Sequence, residues 1–592
     1  MRERLKRWLA APGAPWIAIA LAVALSLPSL TTGLVADDHV HQLLLREPRP
    51  FAGLSARKLD LFAFATGNPD DARALMDAGV FPWWTDPSVR LTFFRPLSSL
   101  THALDHALWP RSAIAMHAHN LVWFALALVA VWFFYRRFLG GGAERWIAGL
   151  ALALYALDDA HGPALGWVAN RNAMVALALS LPALVLHDRW RRENWRPGAV
   201  LAPLVLLVGL LAGESALAAV AYLVAHALWL DRGPLARRLL ALAPYALVVV
   251  AWRAGYVALG YGASGSGVYL DPAHDPAAFA AQFPSRFLLL ALGQVALPWS
   301  DFGALYPYIG PRAATIMVTF AAIVVAGFVA LAAPLLRRDA TARFFATGAA
   351  LALVPICSTF PADRLLWFVG VGAMGLIAQL FAAPRARFVG RPAIALLAGI
   401  HLVLAPPLLA LRSRSMATVE IPLRRANDSL PKSGLDGKTV VLVNPPADFF
   451  AGYLAVTRES RGEPRPARIR WLSSGTSAVT VRRPDERTLI VKPERGFLEN
   501  VTEQMLRTRA HPLAAGAHVA LTGVAIDVTS SLPDGRPAEA KFTFDVPLED
   551  PSLMWEAWRK LGYVPFTPPP VGGEVTLAPV DFLAACLEEP KK

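Results

Sequence analysis

The chain has 592 residues, with 57 Lys and Arg against 44 Asp and Glu, a formal net charge of +13. Only 17% of it is charged and 55% is hydrophobic, and the mean hydropathy of +0.42 excludes an ordinary soluble protein of this size. Its cations fall in short clusters between apolar runs, as in cytoplasmic loops of a membrane protein, so nucleic acid is not an expected partner.

The N-terminal "MRERLKRWLA" is followed by "PWIAIALAVALSLPSLTTGLVA", long enough to cross a bilayer, which takes ~20 residues. We read it as an uncleaved first helix, although Ala36 offers a small residue for signal cleavage. Further apolar runs lie near 113–135, 144–158, 164–186, 199–212, 215–230, 238–259, 313–335, 343–360, 365–383 and 392–411. The expectation is a polytopic α-helical membrane domain, residues 1–411, with about eleven spans.

Basic residues then assign sides. Arg2, Arg4, Lys6 and Arg7 place the N-terminus in the cytoplasm, and "YRRFLGGGAER", "HDRWRRENWR", "DRGPLARR", "LLRRDATAR" and "PRARFVGR" fall on inner loops. The register holds if 283–299 lies along the outer surface or dips in and returns. An odd number of spans leaves the C-terminus outside, and the expected location is a bacterial inner membrane, crossed several times.

With sides so fixed, the loop 35–112 and the turns "ALDDAHGPALGW", "LAGESAL" and "STFPADRLL" share the outer face. They carry Asp37, Asp38, Arg95, Asp158, Asp159, His161, Glu214, Asp363 and Arg364. Ionisable groups at membrane depth are costly, so each is a functional candidate. In the outer loop, "FPWWTD" suits an interfacial anchor, and a helix there is expected to lie on the bilayer as a lid.

From 412 onward the composition changes. Alternating runs such as "KTVVLV", "ARIRWL", "HVALTGVAIDV" and "AKFTFDV", with turns at "DG" and "PDG", predict a mainly β extracytoplasmic domain over 412–592. A helix is expected at "PSLMWEAWRKLG". Two cysteines, Cys357 and Cys586, support neither a disulfide framework nor a cysteine-based metal site.

One chemistry that fits the outer face is sugar transfer from a polyprenyl-phosphate carrier. The phosphate needs cationic donors, for which Arg is suited, and the acceptor hydroxyl needs a general base. A transporter or flippase of lipid-linked solutes, or a membrane anchor for the β domain, uses the same residue types. No internal repeat of the transporter kind is visible.

The order "LVADDHVH", "FRPLSSLTHALDHALW", "HAHNLVWFALALVAVWFFYRRFLG", "LYALDDAHGPALGWVANRNAMVALAL", "LLAGESALAA", "RFLLLALGQVALPWS" and "PADRLLWFVGVGAMGLI" resembles the membrane part of the transmembrane, tetratricopeptide-repeat-containing O-mannosyltransferases. These are inverting glycosyltransferases of the GT-C superfamily, and the resemblance covers roughly residues 15 to 405. It implies a GT-C-like fold, a polyprenyl-phosphate-linked sugar as donor, a protein or glycan as acceptor and contact with membrane lipid. It implies Asp37 as base, with Asp38 positioning the acceptor or binding a divalent metal; no cofactor is required. It also implies Arg95, Arg171 and Arg364 as carrier-phosphate ligands, supported by Asn120, Asp158, Asp159, His161 and Glu214. The chain departs from the family at Asp158 to Pro163, where only the second His of a His-Pro-Val-His-Thr-Glu turn remains. It departs again at Gly213, where a Lys is usual, and in a β-type domain where the repeats are expected.

Overall fold

The computed structural model describes residues 2–54, 59–141, 145–304, 310–383, 390–581 and 584–585. Cys586 and the centres of two expected inner loops, 142–144 and 384–389, lie outside the described residues. The chain forms two compact units. A helical unit comprises Met1–Gly33, Phe93–Tyr261 and Asp275–Met416, and a sheet-rich unit comprises Leu34–Thr92, Gly262–His274 and Ala417–Lys592. The expected outer loop 35–112 is thus divided at Thr92, its first part folding with the C-terminal residues.

Among the described residues, six helices are long and apolar enough to cross a membrane: Ala14–Thr31, Ala113–Leu139, Val168–Glu193, Leu235–Ala258, Arg312–Leu336 and Gly390–Ser429. Five shorter apolar helices are Arg145–Ala156, Gly198–Ala212, Glu214–Trp229, Ala340–Ile356 and Trp367–Ala382. The segment expected not to cross forms part of the helix Pro276–Val295, which is not among the six.

Several buried polar groups in the helical unit are paired internally, as an apolar surround favours. The buried phenols of Tyr135, Tyr155 and Tyr222 donate to the carbonyls of Val371, Trp367 and Phe368, tying three helices to Trp367–Ala382. That helix is approached closely because it carries glycines. A Cβ at Gly372 would lie 2.6 Å from the Phe345 carbonyl oxygen and 2.7 Å from the Tyr222 hydroxyl.

Within the sheet-rich unit, Ala63–Thr66, Arg90–Thr92 and Gly262–Ser264 make an antiparallel three-stranded sheet. A second antiparallel sheet orders 574–577, 479–482, 488–493, 537–544, 524–531 and 518–521 side by side. The third is mixed, in the order 562–565, 553–559, 439–442 and 468–471. Its parallel neighbours Thr439–Leu442 and Arg468–Trp471 are joined by the helix Asp448–Arg461, which stops at Gly462 in the left-handed region, φ 69°.

Two sequence expectations are corrected here. "PSLMWEAWRKLG" is not a helix: Leu553–Arg559 is a central strand, parallel to 439–442 and antiparallel to 562–565. Its Trp555, Glu556, Ala557 and Trp558 are all buried, so pairing on both edges and packing on both faces override the helix-compatible composition. Nor do Trp83 and Trp84 anchor at an interface, being 3% and 1% exposed. Trp83 meets Phe497 and Phe542 edge-on and Trp84 meets Trp471, filling the core of the sheet-rich unit.

Candidate active site

The stretch after the first apolar helix turns through Ala36, whose φ of 48° with ψ of −111° is a conformation that L-residues avoid. The helix Asp37–Leu44 starts immediately after, with both carboxylates in its first turn, where the helix dipole favours negative charge. Strain of this kind, of order 1–3 kcal/mol, persists where the surroundings over-determine the backbone, and it clusters at functional sites.

The two carboxylates do different things. Asp38 is buried, and its Oδ2 accepts the Val35 N–H at 2.9 Å, closing the turn that presents the helix. Asp37 is partly exposed, and its Oδ1 accepts a hydrogen bond from the Tyr453 hydroxyl of the helix Asp448–Arg461. Burial, followed by the Asp37 charge, raises the Tyr453 phenol well above its usual range and keeps it a donor. His39 lies on the same contact, its Nδ1 2.5 Å from Ser460 Oγ. Burial and the Arg461 charge lower His39 to about 3, so its imidazole is neutral. His41 stands edge-on to Phe62, with ring centroids 4.8 Å apart. Both histidines are buried in packing, not displayed to solvent.

In the helical unit, the other expected site residues fall into separate groups. Arg95 precedes the helix Pro96–Leu108, and its Nε donates to Glu214 Oε2 at 2.7 Å. The Tyr256 hydroxyl donates to Glu214 Oε1 at 3.2 Å, so one expected pair is brought together and shared with a tyrosine. Arg95 and Glu214 remain partly exposed at 20% and 25%.

Arg171 and Asn120 form a second group, sealed from solvent. Arg171 Nε donates to Asn120 Oδ1 at 2.6 Å, and its Nη2 lies 2.5 Å from Asp105 Oδ2. Further bonds run to Thr101, Met116 and His119, and the side chain is 0% exposed. The Asp105 partner was not singled out from the sequence, although it lies inside "THALDHALW".

A third group centres on Arg412, which sequence reasoning also passed over. Its guanidinium pairs with Asp159 at 2.9 Å, Asp363 at 2.8 Å and Asp301, and lies 4.3 Å over the Trp299 ring. Asp158 stands apart, taking the Gln294 amide on Oδ2 at 2.9 Å and the Ala160 N–H on Oδ1 at 3.1 Å. Burial, reinforced by Asp159, pushes Asp158 up to about 8. His161 stacks on Trp367 with centroids 4.3 Å apart and is lowered to about 3 by burial, so it is neutral. These groups do not fit a metal, because the Arg412 guanidinium occupies the position between the three carboxylates. Among the described residues, no group of three or more His, Cys, Asp or Glu is arranged to hold one.

Arg364 differs from the other cations. Its guanidinium lies over Trp167 at 5.2 Å and Phe360 at 5.4 Å, and it makes no ion pair among the described residues. An arginine held by aromatic faces keeps its forked donors available for an oxyanion.

No family model and no curated protein matches this chain. Solved structures do. The Archaeoglobus fulgidus oligosaccharyltransferase, tethered with an acceptor peptide, aligns at 12% identity and a TM-score of 0.40 over 78% of this chain and 64% of that one. The chain therefore spans about two thirds or less of that protein's length. ArnT from Cupriavidus metallidurans, bound to undecaprenyl phosphate, aligns at 14% identity and a TM-score of 0.37 over 78% of this chain and 90% of that one.

Proposed function

We propose that this chain is a membrane glycosyltransferase that moves a sugar from a polyprenyl-phosphate carrier to a hydroxyl of a protein or glycan on the extracytoplasmic face. The observation that carries the reading is Asp37. It is a partly exposed carboxylate next to the strained Ala36, and the Tyr453 hydroxyl donates to its Oδ1 and fixes its orientation.

In this reading Asp37 accepts the proton of the acceptor hydroxyl. The freed oxygen attacks the anomeric carbon from the face opposite the phosphate, the carbon–oxygen bond to the phosphate breaks with inversion, and polyprenyl phosphate leaves. Arg364 binds that phosphate, assisted by Arg95, whose shared Glu214 and Tyr256 keep it oriented. Asp38 holds the turn that presents Asp37, and no metal is assigned to it. Arg171 with Asn120, and Asp158, Asp159 and His161, support the surrounding helices; this revises Arg171 from a phosphate ligand because its donors are committed inside the protein.

The six long and five shorter apolar helices are taken together as about eleven spans, with the N-terminus cytoplasmic and the sheet-rich unit outside. The test is mass spectrometry of surface glycans and glycoproteins from cells with the protein, without it, and with Asp37→Asn. A glycan present only with the unsubstituted protein supports the reading. Identical profiles in all three cells, together with export of a lipid-linked solute that depends on the protein, favour a transporter instead.

A further inference from the structure

Arg312–Leu336 is among the most exposed helices of the helical unit. Ile323, Ala326, Ala330, Pro334 and Arg337 follow at helical spacing and are all exposed, so an apolar stripe runs down the helix and ends at a guanidinium. Beside that end, between this helix and Ala340–Ile356, is a shallow cavity, widely open to the surface, lined by Ala333, Leu336, Arg337, Arg343, Ala346 and Thr347.

Both arginines lack a carboxylate partner among the described residues. The neighbouring Asp339 is engaged elsewhere, capping the next helix through the Ala342 N–H at 2.8 Å. Arg343 lies 4.7 Å over the Trp229 ring, and its buried Nε finds no hydrogen-bond partner. The indole in turn donates to Thr347 Oγ1 at 2.9 Å, fixing the wall of the cavity. Two unpaired guanidiniums beside an apolar floor match a phosphodiester with an acyl chain attached.

We propose that this cavity binds the phosphate headgroup of an anionic membrane phospholipid, its acyl chain lying along the stripe above Arg337. A lipid is chosen over free phosphate because the apolar half of the cavity and the stripe have no counterpart in an inorganic anion. Snorkelling explains one arginine at a span's end. It does not explain a second one stacked on tryptophan over a cavity.

The test is native mass spectrometry of the full-length protein in detergent, titrated with phosphatidylglycerol or phosphatidylcholine of the same chain length. Phosphatidylglycerol is expected to bind, and the Arg337→Gln/Arg343→Gln double variant to weaken it roughly thirtyfold, the loss of two basic contacts to an anionic headgroup. Arg337→Lys/Arg343→Lys should retain most of the binding. Arg338→Gln, next in the chain but not lining the cavity, should leave it unchanged. Equal binding of both lipids, an equal loss with Arg338→Gln, or full competition by inorganic phosphate would each overturn the proposal. Unchanged elution on size exclusion shows that the variants fold.

Discussion

The Tyr453 hydroxyl donates a hydrogen bond to the Asp37 carboxylate, linking two residues 416 positions apart within the sheet-rich unit. The residue assigned as base is therefore oriented by the helix that crosses between two parallel strands of the C-terminal part of the chain. A hydrogen bond to a carboxylate favours its charged form, the form in which a base works.

Tyr453→Phe removes only that donor. Sugar transfer is expected to fall roughly ten- to hundredfold, in keeping with a lost bond to a charged group of ~1.5–3 kcal/mol. The fall should appear in kcat with little change in donor KM, and the acid limb of the pH–rate profile should move to higher pH. A profile and rate like those of the unsubstituted enzyme would show that the bond has no part in catalysis.

Arg364 and Arg171 are expected to separate in function. Arg364→Gln should fold normally and raise the KM for the lipid-linked donor, because its aromatic stack is not needed to satisfy a buried acid. Arg171→Met leaves Asp105 buried without its cation, which costs about 3–5 kcal/mol when one partner of a buried pair is lost. Thermal unfolding in detergent should show the second variant strongly destabilised and the first close to the unsubstituted protein. The opposite pattern would return Arg171 to the phosphate.

Glu556 makes the sheet-rich unit pH-sensitive. It is 4% exposed on a central strand, its Oε2 has no hydrogen-bond partner, and burial raises it to about 7 from an ordinary 4.5. The raised value means that the folded chain holds a proton the unfolded chain releases. This contribution to stability is fully present below about 4.5 and is lost as pH rises to about 7, by up to ~3 kcal/mol. Glu556→Gln should flatten that part of the stability–pH curve, measured by chemical unfolding; an unchanged slope would assign it to other groups.

Much of the helical unit is legible in the sequence because a bilayer demands long apolar runs, and all eleven runs coincide with apolar helices. The sheet-rich unit is less legible. The helix Asp448–Arg461 was missed inside a region of alternating strands, and "PSLMWEAWRKLG" has helical composition but pairs as a strand through partners more than a hundred residues away. The acidic pair at Asp37 and Asp38 stood out at the end of an apolar run. Their division of labour did not, since it rests on Tyr453 and on the backbone of Val35 and Ala36. Arg412 follows the last apolar run with nothing in the local sequence to single it out, because its three carboxylates come from distant turns that only the fold brings together.

The central claim is most directly tested by release of polyprenyl phosphate. Purified protein in liposomes is supplied with a panel of polyprenyl-phosphate sugars and an extract containing acceptors, and free carrier phosphate is measured for the unsubstituted protein and Asp37→Asn. Release with at least one sugar is expected, and a loss of about 10²–10⁴-fold in Asp37→Asn with folding intact, the usual contribution of general base catalysis. Release at an undiminished rate by Asp37→Asn would contradict it.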